Sequence, residues 1–270
     1  SSDLFRAYMI DTLSYWLAEY KLSGFRFDLM GLHDIETMNA VASALRKIRP
    51  DVLLYGEGWD MYRGAKMMSA SMFATRKLPG YGFFNDAFRN GVKGSVFDPY
   101  SGGFIHDGSH RESVKFGLVG AVYHPQVHNR DVDGTANPNP WNDRTATSVN
   151  YVEIHDNSTL YDKLVLVEPG KPEEYYERLQ KTAIGLVLLA QGMPVLHAGM
   201  EFMRTKEIPA DILSSNPTLA DLYRSRDGKR AFSHNSYNLC DRINGLDWSR
   251  AAEKRSLVEH VRRLVAQIGR

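Results

Sequence analysis

Two short β-prone runs bracket a helix-patterned stretch between Gly24 and Tyr55, and that order leaves few folds open. In residues 24–29, Phe25, Phe27 and Leu29 alternate with Arg26 and Asp28, the period of a strand whose two faces differ. Residues 35–48 carry a helical pattern, with Pro50 marking its end. Residues 51–55 are again apolar and lead into Gly56-Glu57-Gly58-Trp59. Strand, helix and strand at this spacing predict a βαβ unit, and therefore parallel pairing with a right-handed crossover.

The rest of the chain extends the same alternation. Residues 4–20 repeat apolar side chains at three and four and predict a helix before the first strand. Residues 148–154 read as a strand ending in His155-Asp156-Asn157, residues 173–191 as a helix, residues 194–197 as a short strand and residues 257–268 as a closing helix. Long polar stretches at 98–111, 129–148 and 207–248 read as loops of the kind that carry function. With no composition break or fixed repeat, one domain over residues 1–270 is expected.

Charge and cysteine content narrow the partners. Lys and Arg number 33 against 32 Asp and Glu, so neither a nucleic acid nor an anionic membrane surface is expected as partner. No apolar run is long enough to span a bilayer. The single cysteine, Cys240, excludes an intramolecular disulfide and any zinc framework built on thiolates; it fits a cytoplasmic protein and leaves secretion open.

Polar residues gather where the predicted strands end: Asp28, Glu57 and the pair His155-Asp156. In a parallel barrel all strand C-termini face one rim, so carboxylates distant in sequence converge there. Retaining glycoside hydrolysis needs a carboxylate nucleophile and a carboxylic acid roughly 5–5.5 Å apart. Asp28 suits the first part, with Arg26 on the same strand face favouring its ionised form, and Glu57 suits the second. Asp156 is expected to brace sugar hydroxyls, with His155 as a neutral hydrogen-bond partner.

On the residues alone each position keeps a second reading. Arg26 and Asp28 also describe a structural ion pair, Glu57 a turn residue, and His155-Asp156-Asn157 an Asx-type loop start. Trp59, Trp141 and Trp248 read equally as packing residues or sugar platforms, and His33, His106, His124 and His197 read as structural histidines.

The motifs in sequence tip that balance. Gly24-Phe25-Arg26-Phe27-Asp28 resembles the nucleophile motif of the α-amylase superfamily, and Tyr55-Gly56-Glu57-Gly58-Trp59 resembles its acid/base motif in the type I pullulanase form. Val152-Glu153-Ile154-His155-Asp156-Asn157 is similar to the motif of the transition-state aspartate. Gly82-Phe83-Phe84-Asn85-Asp86, the run from Gly192 to Phe202, Ser236-Tyr237-Asn238 and Asn244-Gly245-Leu246-Asp247-Trp248 also resemble type I pullulanases.

The resemblance implies a (β/α)8 TIM barrel, here incomplete and covering strands four to eight. It implies Asp28 as nucleophile, Glu57 as proton donor and Asp156 as stabiliser, with Arg26, His155 and Trp59 beside the substrate. The implied activity is cleavage of α-1,6 links in pullulan and branched α-glucans, the α-glucan being the expected partner. An isoamylase, a branching enzyme, an α-amylase or an inactive glycan-binding fragment are the alternatives. No cofactor is required; some relatives bind Ca²⁺, but no EF-hand-like Asp run occurs and no site is placed. The family's first conserved motif, the amino-terminal accessory domains and the carboxy-terminal β-sandwich are expected to lie outside these residues, so the chain reads as a fragment. Its sheet is expected to have two open edges and to be unstable in isolation.

Overall fold

The computed structural model describes residues 2–65, 68–216, 219 and 222–268. Helix α1 (Asp3–Glu19) starts at Ser2, whose hydroxyl accepts from the Phe5 amide at 3.1 Å. It precedes β1 (Gly24–Phe27), α2 (Ile35–Ile48) and β2 (Leu53–Gly56). Asp34 caps α2, its carboxylate accepting from the Thr37 amide at 2.7 Å and the Thr37 hydroxyl at 2.9 Å. The predicted βαβ unit is present, with Gly24, Phe25, Arg26 and Phe27 of β1 in parallel register with Leu53, Leu54, Tyr55 and Gly56 of β2.

Three more strands join on the β2 side: β3 (Tyr81–Phe84), β4 (Ser148–Asn150) and β5 (Met193–Pro194). The order β1-β2-β3-β4-β5 is parallel throughout, a curled, open portion of a (β/α) barrel as the sequence implies. Between β3 and β4 run α3 (Asp86–Lys93), α4 (Phe104–Asp107) and α5 (Arg111–Leu118); between β4 and β5 run α6 (Leu160–Val167) and α7 (Glu173–Leu189). After β5 come α8 (Ala210–Ser215), an antiparallel hairpin of β6 (Leu222–Arg224) and β7 (Ala231–Ser233), α9 (Asp241–Asn244), α10 (Ser249–Glu253) and α11 (Arg255–Ile268).

Strand alternation divides the apolar residues between two sides of the sheet. Phe27, Leu54, Tyr81 and Phe83 are buried with Leu17 of α1 and Met38, Val41 and Leu45 of α2. Phe84 and Val149 pack with Tyr151, Tyr55 and Met193 in a smaller cluster, and the Arg26 guanidinium lies 5.6 Å from the Phe84 ring centre. The second large core joins α3, α6, α7 and α11 through Phe88, Leu164, Ile184, Val187 and Leu257. These clusters fix the strand ends in space, and so the residues that follow them.

Several boundaries differ from expectation. The first strand stops at Phe27, because Leu29 turns to φ 43° and carries the chain into a 3-10 turn. The fourth stops at Asn150, so Asp156 stands on a loop instead of at the strand's last residue. The expected strand at 194–197 is the two-residue pair Met193–Pro194. Strand β3 had no alternation to reveal it, since all four of its residues are buried. The stretches at 98–111 and 207–248 are not plain loops, for they contain α4 and, in the second, α8, the hairpin and α9.

Candidate active site

The site begins with one guanidinium between two carboxylates. Arg26 leaves β1 on the side of Tyr55 and Phe84, and one of its terminal nitrogens donates to Asp28 Oδ1 at 3.0 Å. The other donates to Glu57 Oε1 at 2.8 Å. Two residues from different strand ends are thereby held by a rigid planar fork.

Glu57 is fixed from every side. Its Oε2 accepts from the Leu29 amide at 2.9 Å, its own amide donates to the Phe27 carbonyl at 3.0 Å, and its carbonyl accepts from the Gly31 amide at 3.0 Å. The positive φ of Leu29 is part of what aims that amide at the carboxylate. Glycine is needed at two nearby positions: a Cβ on Gly31 would run into the Trp59 carbonyl, and one on Gly58 into the Phe83 ring. Glu57 is therefore no turn residue. It is a buried carboxyl group whose two oxygens accept from the Arg26 guanidinium and the Leu29 amide. Asp28 is different, with its side chain 69% exposed.

A cavity of about 730 Å³ opens beside these residues, and Glu57, Trp59 and Asp156 all line it. Asp28 and Arg26 are joined to the cavity through Glu57 without lining it themselves. Asp156 is half-exposed, and His155 Nε2 lies 3.5 Å from its Oδ2; His155 does not line the cavity either. The structure thus gathers Glu57, Trp59 and Asp156 in the lining of one cavity, ties Asp28 to Glu57 through Arg26 and leaves His155 outside that lining.

The same lining contains residues for which the sequence had suggested no role. Helix α3, capped by the Asn85 side chain, presents Asp86, Arg89 and Asn90 to the cavity. Burial raises the Asp86 carboxyl above its usual range, against a hydrogen bond from the Thr135 hydroxyl at 2.7 Å. Arg89 donates to the Tyr151 hydroxyl at 2.7 Å, while burial pushes that phenol up to about 12. Polar residues at i, i+3 and i+4 of an otherwise buried helix are the signal that identifies this face.

The remaining histidines and tryptophans singled out in the sequence lie outside the cavity lining and have partners of their own. His197 Nδ1 meets Glu153 Oε1 at 2.7 Å and its Nε2 accepts from Arg204 at 2.9 Å, which makes it a satisfied histidine. His33 stacks on Phe5, while the Nδ1 atoms of His106 and His124 accept from the Gly103 and Gln126 amides. Trp141 is buried edge-on to Phe83, and exposed Trp248 leans on Phe202. Among the described residues no group of three or more His, Cys, Asp or Glu side chains is arranged to hold a metal ion, and no helix is long and apolar enough to cross a membrane.

Fold and rim together define part of a parallel (β/α) barrel with carboxylates converging at its strand exits. Over this span the chain is similar to pullulanases. It is 34% identical over 263 residues to the pullulanase of Bacillus subtilis strain 168, covering 97% of this chain and 32% of that protein. It is 30% identical over 248 residues to the chloroplastic pullulanase 1 of Arabidopsis thaliana, covering 76% of this chain and 26% of that one. The pullulanase of Paenibacillus barengoltzii in complex with maltohexaose and α-cyclodextrin superposes with a TM-score of 0.81 at 37% identity, covering 98% of this chain and 36% of that one. The chain therefore spans about a third of the length of the first two bacterial proteins. No protein-family model matches it.

Proposed function

We propose that these residues supply the reacting carboxylates of a retaining glycoside hydrolase that cleaves α-1,6-glucosidic links in pullulan and branched α-glucans. The observation that carries the reading is the Arg26 bridge, which sets Asp28 and Glu57 side by side from adjacent strand ends. The names of the relatives and the bound maltohexaose of a structural neighbour support an α-glucan as the substrate.

In the proposed reaction Asp28 attacks the anomeric carbon as Glu57 gives its proton to the departing glycosidic oxygen. A glucosyl ester on Asp28 results. Glu57 then takes a proton from water, which attacks the anomeric carbon and releases Asp28. For the first step Glu57 is protonated on Oε1, which gives up its Arg26 contact and donates to the glycosidic oxygen arriving in the cavity that Glu57 lines. Asp156, in the lining of the same cavity, holds sugar hydroxyls as positive charge develops at the ring, and Trp59 offers a face for a glucose unit. His155 and Arg26 assist from outside the wall. No cofactor takes part.

Product analysis tests the reading in a protein carrying these residues. Pullulan is expected to yield maltotriose, and Asp28→Asn or Glu57→Gln is expected to lower the rate by about 10³-fold or more with the fold retained. Transfer to a more branched glucan, cleavage of α-1,4 links alone, or near-normal rates in either variant would contradict it.

A further inference from the structure

We infer that Lys206 is a positioning residue for Asp156, its ammonium clamping the loop by the carbonyls on both sides of that carboxylate. The inference rests on the reading of Asp156 as a substrate-facing group. Lys206 Nζ donates to the His155 carbonyl at 2.5 Å and to the Asn157 carbonyl at 2.9 Å. A second buried ammonium, Lys93 Nζ, donates to the next carbonyl, Ser158, at 3.2 Å. Three carbonyls from four consecutive residues are satisfied by two lysines, one from α3 and one from the segment after β5.

The loop needs such a clamp. Strand β4 ends at Asn150, and Asn157 sits at φ 60°, so no ladder holds residues 155–158. The Asp156 side chain is half-exposed, 3.5 Å from the ring of its neighbour His155 and within electrostatic reach of the Lys206 ammonium, so its aim depends on where its backbone is held. Carbonyls outside a ladder need other donors, and the ammonium of a buried lysine is a strong one.

Lys206 is itself rigidly held. The Asp162 carboxylate of α6 accepts from the Lys206 amide at 2.8 Å and from the Thr205 hydroxyl at 2.5 Å, and the Lys206 carbonyl accepts from the Ser233 amide of β7 at 3.1 Å. Its side chain is 1% exposed. An ammonium that deeply buried gives up its hydration, so an apolar side chain would cost less if filling space were the only task. What the lysine adds is geometry: α6, the hairpin and the Asp156 loop meet at one point.

Lys206→Met keeps the length of the side chain and removes the donors. Backbone ¹⁵N relaxation is expected to show residues 155–158 falling from a rigid order parameter near about 0.85 to below about 0.6. Unchanged order parameters would overturn the clamp. On pullulan, kcat is expected to drop about tenfold or more with KM within about threefold, as for loss of an interaction made in the transition state. Gln180→Leu, which removes another fully buried donor, to the Met200 carbonyl, is expected to leave both constants near the parent values. A loosened loop with unchanged kcat would leave the clamp standing and sink the Asp156 assignment instead. Should Lys206→Met fail to fold, Lys206→Gln retains a donor, and an intermediate loss in both readouts is expected; parent-like values in both would overturn the inference.

Discussion

Arg26 is the residue on which the site's geometry turns, because its fork is the link between an exposed carboxylate and a buried one. Arg26→Met removes that link and leaves buried Glu57 without its cation. Loss of one partner of such a pair costs on the order of 3 kcal/mol, so a lower melting temperature is expected together with at least about a hundredfold loss of hydrolysis. Arg26→Lys is expected to restore stability more than rate, since one ammonium does not reproduce two parallel donors in a plane. Equal recovery of both would show that charge alone suffices. Much of this was legible in the sequence: alternation placed Arg26 and Asp28 on one face, and their ion pair is present. The bond from Arg26 to Glu57 was not, because it depends on the register of β1 against β2, where Arg26 pairs with Tyr55, two residues before Glu57.

At the scale of elements, α6 carries an uncommon burden in Asp162, a fully buried carboxyl pushed up to about 6, chiefly by burial. Between its ordinary value of 3.8 and about 6 the folded chain keeps a proton that the unfolded chain has released. The associated stability is therefore complete below the lower value and is lost as pH rises through the upper one. Urea unfolding of the parent against Asp162→Asn is expected to show the parent's relative stability falling between about pH 4 and about pH 6.5. A difference independent of pH would contradict that burial. Helices α1, α2 and α11 were readable because their apolar positions recur at helical spacing; α2 matches its expected bounds at Ile35 and Ile48. Strands of two to four residues were less so. Fully buried β3 gives no period-two signal, and the chain beyond Asn150 stays apolar as far as Val152 after the ladder has ended.

Taken whole, the molecule presents a parallel sheet whose end strands, β1 and β5, each pair with one neighbour among the described residues. Helix α1, packed on α2, exposes Leu4, Tyr8 and Tyr15. Unpaired edges and apolar surface favour association, so the 270-residue chain by itself is expected to gain mass with concentration in sedimentation velocity. Tyr8→Glu with Tyr15→Lys should suppress this; a single monomeric species in the parent at all concentrations would contradict it. The cavity wall is likewise a property of the whole, for Phe97 and His234 reach it from loops far apart in sequence that no local pattern joins. The order of the motifs revealed the three carboxylates, but not these contributors. The claim that Asp28 is the nucleophile of a retaining hydrolase is tested most directly by trapping its ester. A protein carrying these residues, incubated with a 5-fluoro glucosyl fluoride and digested for mass spectrometry, is expected to carry the sugar on the peptide containing Asp28, and on none in Asp28→Asn. A stable adduct on a different carboxylate, or rapid hydrolysis by the Asp28→Asn protein, would contradict the claim.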